Sequence, residues 1–482
     1  MQTNDFRKLL YNSNDPFSIE AYAKKLLNKS LREVIGNSAT QTRAGKGKFG
    51  QLIEDLYFHY KPNSEAKPDF PEAGVELKTS PIKMAGRGFI AKERLVFNMI
   101  DYSTEHLNTF RSSSFWKKNA LLLLMFYLYE KEKLDVDYIF KIIRLWRFPI
   151  ADLKIIKDDW TKIVSKIKAG KAHELSEGDT IYLGACTKGA NKESLRNQPF
   201  SNVKAMGRAF SLKAKYLNYI IQKSLEEDEV LADDSEYESI LIETTGALAA
   251  EPLHDYLKRT LYELEPIVKN LDEYKHGETF EQLVIRKYKP YYGKSEIELA
   301  KIFNIANKIT AKNKFDILSR YILGVKHKKI EEFEKGDILM KTIRLEKNSS
   351  IKEHISFKQI QFKEIVEQEW HESTWFEELN RRFFFVIFQA DFANNYRLKK
   401  VMFWSIPPKD METLEQVWND TRRKITQGDF EHFIKASENR IGHVRPKGRD
   451  SMDFMEAPNG TMQKKKCFWL NKDYIISIIN NE

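Results

Sequence analysis

The apolar residues Phe49, Leu52, Ile53, Leu56 and Tyr57 recur at helical spacing, which predicts an amphipathic helix over residues 49–60. The period then changes. Val75-Glu76-Leu77-Lys78 alternates apolar and charged, as a half-buried strand does, and Pro71 to Gly74 ahead of it is turn chemistry, so residues 69–80 read as hairpin-like. Further strands are expected near 93–100 and 120–128. The run from Ala120 to Tyr129 is the longest apolar stretch, too short to span a bilayer and of the right length for a buried strand. Helical patterns run from 134 to 170, Thr180–Leu183 reads as a strand and Lys213–Ile221 as a helix. Strands and helices interleaved in this way predict an α/β fold with a mixed sheet flanked by helices.

The pattern repeats. Leu77-Lys78-Thr79 recurs as Met340-Lys341-Thr342, each closing a strand-like run. Phe115 and Asn119, ahead of one apolar run, recur as Phe376 and Asn380 ahead of another. Lys188-Gly189 recurs as Lys447-Gly448, and Phe210 to Tyr216 recurs as Phe468 to Tyr474. Four blocks in one order at nearly constant spacing point to a duplication, two copies of about 200 residues each. Between them, residues 226 to 243 carry nine acidic side chains and no basic one, as a solvated linker does. The expected organisation is residues 1–225, an acidic linker at 226–255, and residues 256–482.

Composition narrows the class. The chain has 482 residues, is 42% hydrophobic and 31% charged, and carries a net charge of +10, which suits a polyanionic partner. Two cysteines, Cys186 and Cys467, exclude a disulfide framework and a cysteine metal site. The opening Met-Gln-Thr-Asn-Asp lacks a signal-peptide pattern, so a cytoplasmic location is expected.

The richest chemistry lies at Asp69, Glu76 and Lys78. Alternation puts Glu76 and Lys78 on one face of a strand, and the turn folds Asp69 back beside it. Carboxylate oxygens of this kind suit Mg²⁺, and a lysine beside them can orient a water or stabilise charge on phosphorus. The plain alternative is a set of solvated surface residues. Glu54, on the preceding helix, can enter the same site or be an ordinary exposed glutamate. Arg43-Ala-Gly-Lys46-Gly-Lys48 lacks the spacing of a nucleotide-binding P-loop but can wrap a DNA phosphate. Lys188, beside Gly189 on a loop after a strand, suits contact with phosphates or base edges. His173 has no histidine or cysteine at ligand spacing and reads as a hydrogen-bonded or surface residue.

With Glu72-Ala-Gly-Val-Glu-Leu-Lys-Thr79, His173-Glu-Leu-Ser-Glu-Gly178, Thr187-Lys-Gly-Ala-Asn191, Ser194-Leu-Arg-Asn-Gln-Pro199 and His443-Val-Arg-Pro446, the chain resembles the MutH-like endonucleases. More closely, it resembles the two-domain type II restriction enzymes that cut at GATC. The resemblance implies two tandem restriction-endonuclease-like (PD-(D/E)xK) folds and Mg²⁺-dependent double-strand cleavage. It lays the family's metal-binding carboxylates on Glu54, Asp69 and Glu76, and the catalytic lysine on Lys78. A loop lysine falls on Lys46, a further lysine on Lys118 in preference to Lys117, and the DNA-reading lysine on Lys188. Cys186 stands where MutH has an arginine, whereas the second copy keeps Arg445-Pro446-Lys447.

That second copy has lost the carboxylates. Glu76 is matched by Leu339, Asp69 at best by Glu332, Glu54 by Arg320 or its neighbours and Lys118 by Leu379, leaving Lys341. It is expected to bind DNA without cutting it. One intact site per chain implies a monomer that pairs on double-stranded DNA. The competing expectations are a mismatch-repair nicking enzyme, which would resemble a single copy, and a catalytically idle DNA-binding regulator.

Overall fold

The structure is a computed structural model and describes residues 10–36, 48–60, 67–86, 88–188, 194–225, 264–308, 311, 313–450 and 452–481. Lys46 and the acidic linker at 226–255 lie outside the described residues.

The first half opens with α1 (Pro16–Ala23), α2 (Leu31–Ile35) and α3 (Lys48–Leu52). A four-stranded mixed sheet follows, ordered β2-β1-β4-β5. Its strands are β1 (Val75–Ala85), β2 (Gly88–Ala91), β4 (Leu121–Leu128) and β5 (Ile139–Trp146). β1 runs parallel to β4 from Val75↔Leu121 onward, and β2 and β5 flank them antiparallel. A second sheet is ordered β3-β9-β6, from β3 (Leu95–Met99), β6 (Leu183–Thr187) and β9 (Arg208–Leu212); β7 (Leu195–Gln198) and β8 (Ser201–Met206) form a ribbon. The helices are α4 (Tyr102–Glu105), α5 (Ser114–Asn119), α6 (Ile150–Lys168) and α7 (Ala214–Ser224).

Among the described residues, the second half runs through the same order without a counterpart of β2. A short pair, β10 (Leu264–Glu265) with β11 (Lys329–Ile330), and helices α8 (Phe280–Tyr288), α9 (Glu296–Ile302), α10 (Lys314–Ile322) and α11 (Glu331–Lys335) precede the sheet β12-β14-β15. Its strands are β12 (Ile338–Leu345), β14 (Arg382–Ala390) and β15 (Tyr396–Trp404), with β12 parallel to β14 from Ile338↔Arg382. A second sheet, β13-β19-β16, uses β13 (Ile355–Gln359), β16 (Gly442–Pro446) and β19 (Lys466–Leu470), and β17 (Phe454–Glu456) with β18 (Met462–Lys464) forms the ribbon. Helices α12 (Phe362–Ile365), α13 (Thr374–Leu379), α14 (Pro408–Thr426) and α15 (Lys472–Asn481) complete it. α6 and α14 are both 19 residues long and both follow a proline, Pro149 or Pro407.

The structure moves several sequence expectations. Residues 134–146 hold only a 3₁₀ turn, Asp135–Asp137, before β5 occupies Ile139–Trp146, where a register shift against β4 at Phe126/Tyr127 breaks strict alternation. The strand expected at Thr180–Leu183 begins at Leu183 instead. The repeat also shifts by one residue at the helix before each core strand. Ser113 caps α5 through Trp116 and Ser373 caps α13 through Phe376. Phe115 packs on Phe210, and Trp375 stacks on Phe468 with ring centroids 3.9 Å apart. Caps and ring contacts therefore match Phe115 to Trp375, and Lys118 to Glu378 rather than Leu379.

Both core strands are buried on both faces, which is why each reads as a continuous apolar run. In the first half, Leu121, Leu123 and Met125 face the core under α1 and α3, while Leu122, Leu124 and Phe126 face α6 and the second sheet. In the second half, Phe383, Phe385 and Ile387 face α14, while Phe384, Val386 and Phe388 join the core of the first half. The halves thus share one core and meet through different faces of their sheets. Polar contacts reinforce the seam: Lys335 Nζ lies 2.9 Å from Asp152 Oδ1, and Lys213 Nζ donates to the Gly336 carbonyl at 3.2 Å.

Candidate active site

Val75 and Leu77 of β1 point into the core below α3, so Glu76 and Lys78 share the opposite face. Gly74, at φ +66°, closes the turn that returns the chain, and Phe70 and Val75 exchange backbone hydrogen bonds across it. Asp69 is thereby locked to the strand twice. Leu77 N–H donates to Asp69 Oδ2 at 2.9 Å, and Asp69 N–H donates to Glu76 Oε2 at 3.1 Å. Lys78 Nζ donates to Glu76 Oε1, and Lys118 Nζ of α5 approaches the same oxygen at 3.6 Å.

Glu54 comes from a π-helical turn, Ile53–Tyr57, that continues α3, closed by Phe58 N–H to the Ile53 carbonyl. A π turn inserts one residue and re-aims what it carries, and such turns recur at functional sites. α3 can approach β1 because residue 50 is glycine: a Cβ there would stand 3.3 Å from Thr79 Oγ1. Five of the sequence candidates, Glu54, Asp69, Glu76, Lys78 and Lys118, thus come together from three elements and a turn.

Their charges are strongly coupled. Glu76 is 1% exposed, and burial pushes its pKa up to about 7, with Lys78 pulling it down and Asp69 raising it further. Burial, then the Asp69 charge, likewise raises Glu54 to about 7. The Glu54 carboxylate and Asp69 Oδ1 accept no hydrogen bond among the described residues. Three crowded acids, with the Asp69 charge raising the pKa of both glutamates and with oxygens to spare, are the donor set a hard divalent cation suits. As placed, however, no three metal-ligating side chains among the described residues form a closed group.

The structure does not bring the other candidates to this cluster. Lys188 is exposed just after β6 in the second sheet, and Arg445 and Lys447 lie at the end of β16 and beyond, in the second half. Arg445 and Lys447 both lie over the Trp469 ring, 4.6 and 5.4 Å from its centroid. Cys186 is buried and pairs with Ala209, whereas at the matching rung of the second half Arg445 pairs with Cys467. His173 is hydrogen-bonded to Gln198 at 2.9 Å, as expected of a structural histidine. Sequence reasoning missed the π turn under Glu54, which no residue pattern announces, and Glu378 opposite Lys118, which the Ser113 and Ser373 caps could have disclosed.

Comparison with known proteins places this geometry. The family model of the DNA mismatch repair enzyme MutH matches residues 58–159 and again 323–416, one segment in each half. The chain is 33% identical to the type II restriction enzyme Sau3AI of Staphylococcus aureus over 497 aligned residues, 94% of each chain. It is 26% identical to the DNA mismatch repair protein MutH of Vibrio campbellii over 40% of this chain and 85% of that protein. A 26% match to MutH of Buchnera aphidicola subsp. Baizongia pistaciae covers 36% and 77%. A carboxylate and lysine cluster gathered around β1, in such company, defines an enzyme that hydrolyses DNA by the metal-dependent route of its superfamily. Within that class, the chain belongs to the MutH and Sau3AI-like family. No helix among the described residues is long and apolar enough to cross a membrane.

Proposed function

We propose that this chain is a type II restriction endonuclease that cuts both strands of DNA at a short palindrome, GATC, with Mg²⁺ as cofactor. The observation that carries the reading is the convergence of Glu54, Asp69, Glu76, Lys78 and Lys118 on one point. The GATC assignment is carried over from the family resemblance. The repeated order of elements in the two halves supports two tandem PD-(D/E)xK folds, residues 1–225 and 256–482, joined by an acidic linker at 226–255.

In this reading, Asp69, Glu76 and Glu54 hold the cation. The cation supplies positive charge against the phosphoryl oxygens and lowers the pKa of water. The chain's own side chains do the rest. The backbone amides of Asp69 and Leu77 fix the two inner carboxylates, so that they turn toward one phosphate. Lys78, held against Glu76, orients the attacking water and, with Lys118, stabilises charge as one P–O ester bond breaks. Lys46 and Lys188 contact DNA in the first copy, and Arg445 and Lys447 in the second, which lacks the carboxylates and binds without cutting.

Plasmid DNA incubated with the protein and Mg²⁺ tests this directly. Linear fragments ending at GATC are expected; nicked circles would mark a nicking enzyme, and a gel shift alone an idle binder. Asp69→Ala and Glu76→Ala are expected to lower cleavage by about a thousandfold or more, and Lys78→Ala by about a hundredfold. All three should retain DNA in a gel shift. An Asp69→Ala enzyme that cuts at the normal rate would remove the proposed site.

A further inference from the structure

The second half keeps Lys341 at the register of Lys78 and changes everything around it. Leu339 stands where Glu76 stands, paired to Phe383 as Glu76 is to Leu122. Glu378 takes the place of Lys118. Glu332, the nearest counterpart of Asp69 in sequence, is spent elsewhere: both its oxygens accept the N–H of Ile267, and Oε1 also accepts that of Val268, at 2.9 to 3.0 Å. Among the described residues, none of the three carboxylates of the first-half cluster has a counterpart at this register.

What remains is a cationic cavity. A space of about 260 Å³ lies between β12 and β13, lined among others by Lys341, Thr342, Arg344, His354 and Ser356. That is room for a handful of waters at roughly 30 Å³ each. Lys341 makes no hydrogen bond or ion pair with any described residue. Lys447 Nζ donates to Ser356 Oγ at 2.5 Å, which puts a second ammonium at the cavity wall. Two acids also line the cavity: Glu346, which is taken by Lys352 at 3.2 Å and the Tyr396 hydroxyl at 3.1 Å, and Glu353, which is exposed. Glu378, close by, accepts the Lys358 N–H at 3.2 Å. Burial, then the Lys447 charge, lowers the Lys341 pKa against the Glu378 carboxylate, which raises it, so the half-buried ammonium is left short of negative charge. An anion arriving in the cavity would supply it.

We propose that this cavity binds one phosphodiester of a DNA duplex without any metal ion, the Lys341 ammonium standing where the first half uses a carboxylate-held cation. Ser356 and Lys447 supply the neighbouring donors, and the ligand is a backbone phosphate, which fixes register without reading sequence. The proposal rests on the reading of the second half as a DNA-binding copy and names the contact that half makes.

The test uses the full chain in EDTA, titrated with a fluorescent duplex while stoichiometry is followed. Wild type should show two classes of site: a first duplex shared between the first halves of two chains, and a second duplex held by the second half of each chain. Lys341→Met should keep the first and bind the second about tenfold more weakly, with a salt slope smaller by about one ion. Lys341→Arg should retain both. Leu339→Glu, which sets a carboxylate beside the ammonium, should weaken the second duplex without touching Lys341 itself. A neutral methylphosphonate placed at single linkages should weaken wild type at one position per strand and have no further effect in Lys341→Met. Inorganic phosphate should compete only weakly. If phosphate displaces the duplex as readily as unlabelled DNA does, the cavity is a free-anion site and the proposal fails. Lys341→Met with an unchanged slope and an unchanged methylphosphonate profile overturns the anchor alone. Wild type that shows only the first class of site overturns the DNA-binding reading of the second half, and this proposal with it.

Discussion

Glu54 and Glu76 show how single residues set the working conditions of the site. Each has its pKa raised from 4.5 to about 7, first by burial. A raised acid favours the protonated form in the fold. Its contribution to stability is therefore fully present below 4.5 and is lost as pH rises through 7 in the cation-free protein. A divalent cation has the opposite preference: it binds the carboxylates and releases their protons. Cleavage at limiting Mg²⁺ is expected to rise between about pH 5 and 7.5, and the midpoint should move to lower pH as Mg²⁺ is increased. Lys118 pulls the Glu76 pKa down, so Lys118→Met should move the midpoint to higher pH at fixed Mg²⁺. A pH–rate profile that is flat from 5 to 8, or indifferent to Mg²⁺, would mean that these carboxylates do not gate the reaction.

The elements that carry those residues depend on a close approach that only one position allows. Gly50 lets α3 lie on Thr79, and the π turn beyond it delivers Glu54. A methyl group at residue 50 must push α3 or Thr79 aside by a few tenths of an ångström. A shift of that size at Glu54, in its proposed catalytic role, would cost about tenfold in rate. Gly50→Ala is expected to lose about that much cleavage with little loss of stability, since alanine favours the helix. Thr79→Ala, which removes the crowding oxygen, should restore most of it; a double variant no better than Gly50→Ala would place the fault elsewhere. This dependence also marks what sequence can carry. Asp69, Glu76 and Lys78 were legible because strand alternation and a Pro–Gly turn determine where they point. The apolar runs of β4 and β14 were legible because burial on both faces leaves no polar position. β5 was not, because its bulge mixes the two periods, nor was the π turn, because no residue type selects it. The match of Lys118 to Glu378 was hidden by an extra residue between helix and strand, and it emerges only when the caps and ring contacts are compared.

At the scale of the whole molecule, the two halves are fused rather than strung together. Asp152 and Lys335 face each other across the seam at 4% and 5% side-chain exposure, with Glu331 at 2.7 Å and the Tyr216 hydroxyl at 2.8 Å completing the group. Lys335→Met alone leaves Asp152 buried with its charge unmatched and should cost about 3–5 kcal/mol in urea unfolding. Asp152→Leu with Lys335→Met should recover most of that, and a double variant as unstable as the single would show that the pair is not what fails. The same seam bears on how both strands are cut. The halves meet through opposite faces of their sheets, so no two-fold axis relates the two clefts within one chain. Two antiparallel strands of a palindrome are related by a two-fold axis, and one carboxylate cluster cuts one strand at a time. On the proposed reading, the second cluster would come from a second chain. The second halves, by holding another duplex, would raise the local concentration of that partner. The protein is expected to be a monomer in free solution and to form a complex of two chains on a duplex carrying the site, as read from light-scattering mass in Ca²⁺ or EDTA. Arg445→Ala with Lys447→Ala should slow double-strand cleavage and leave nicking by the first half intact. A single chain per duplex that makes both cuts in one binding event would sink this arrangement.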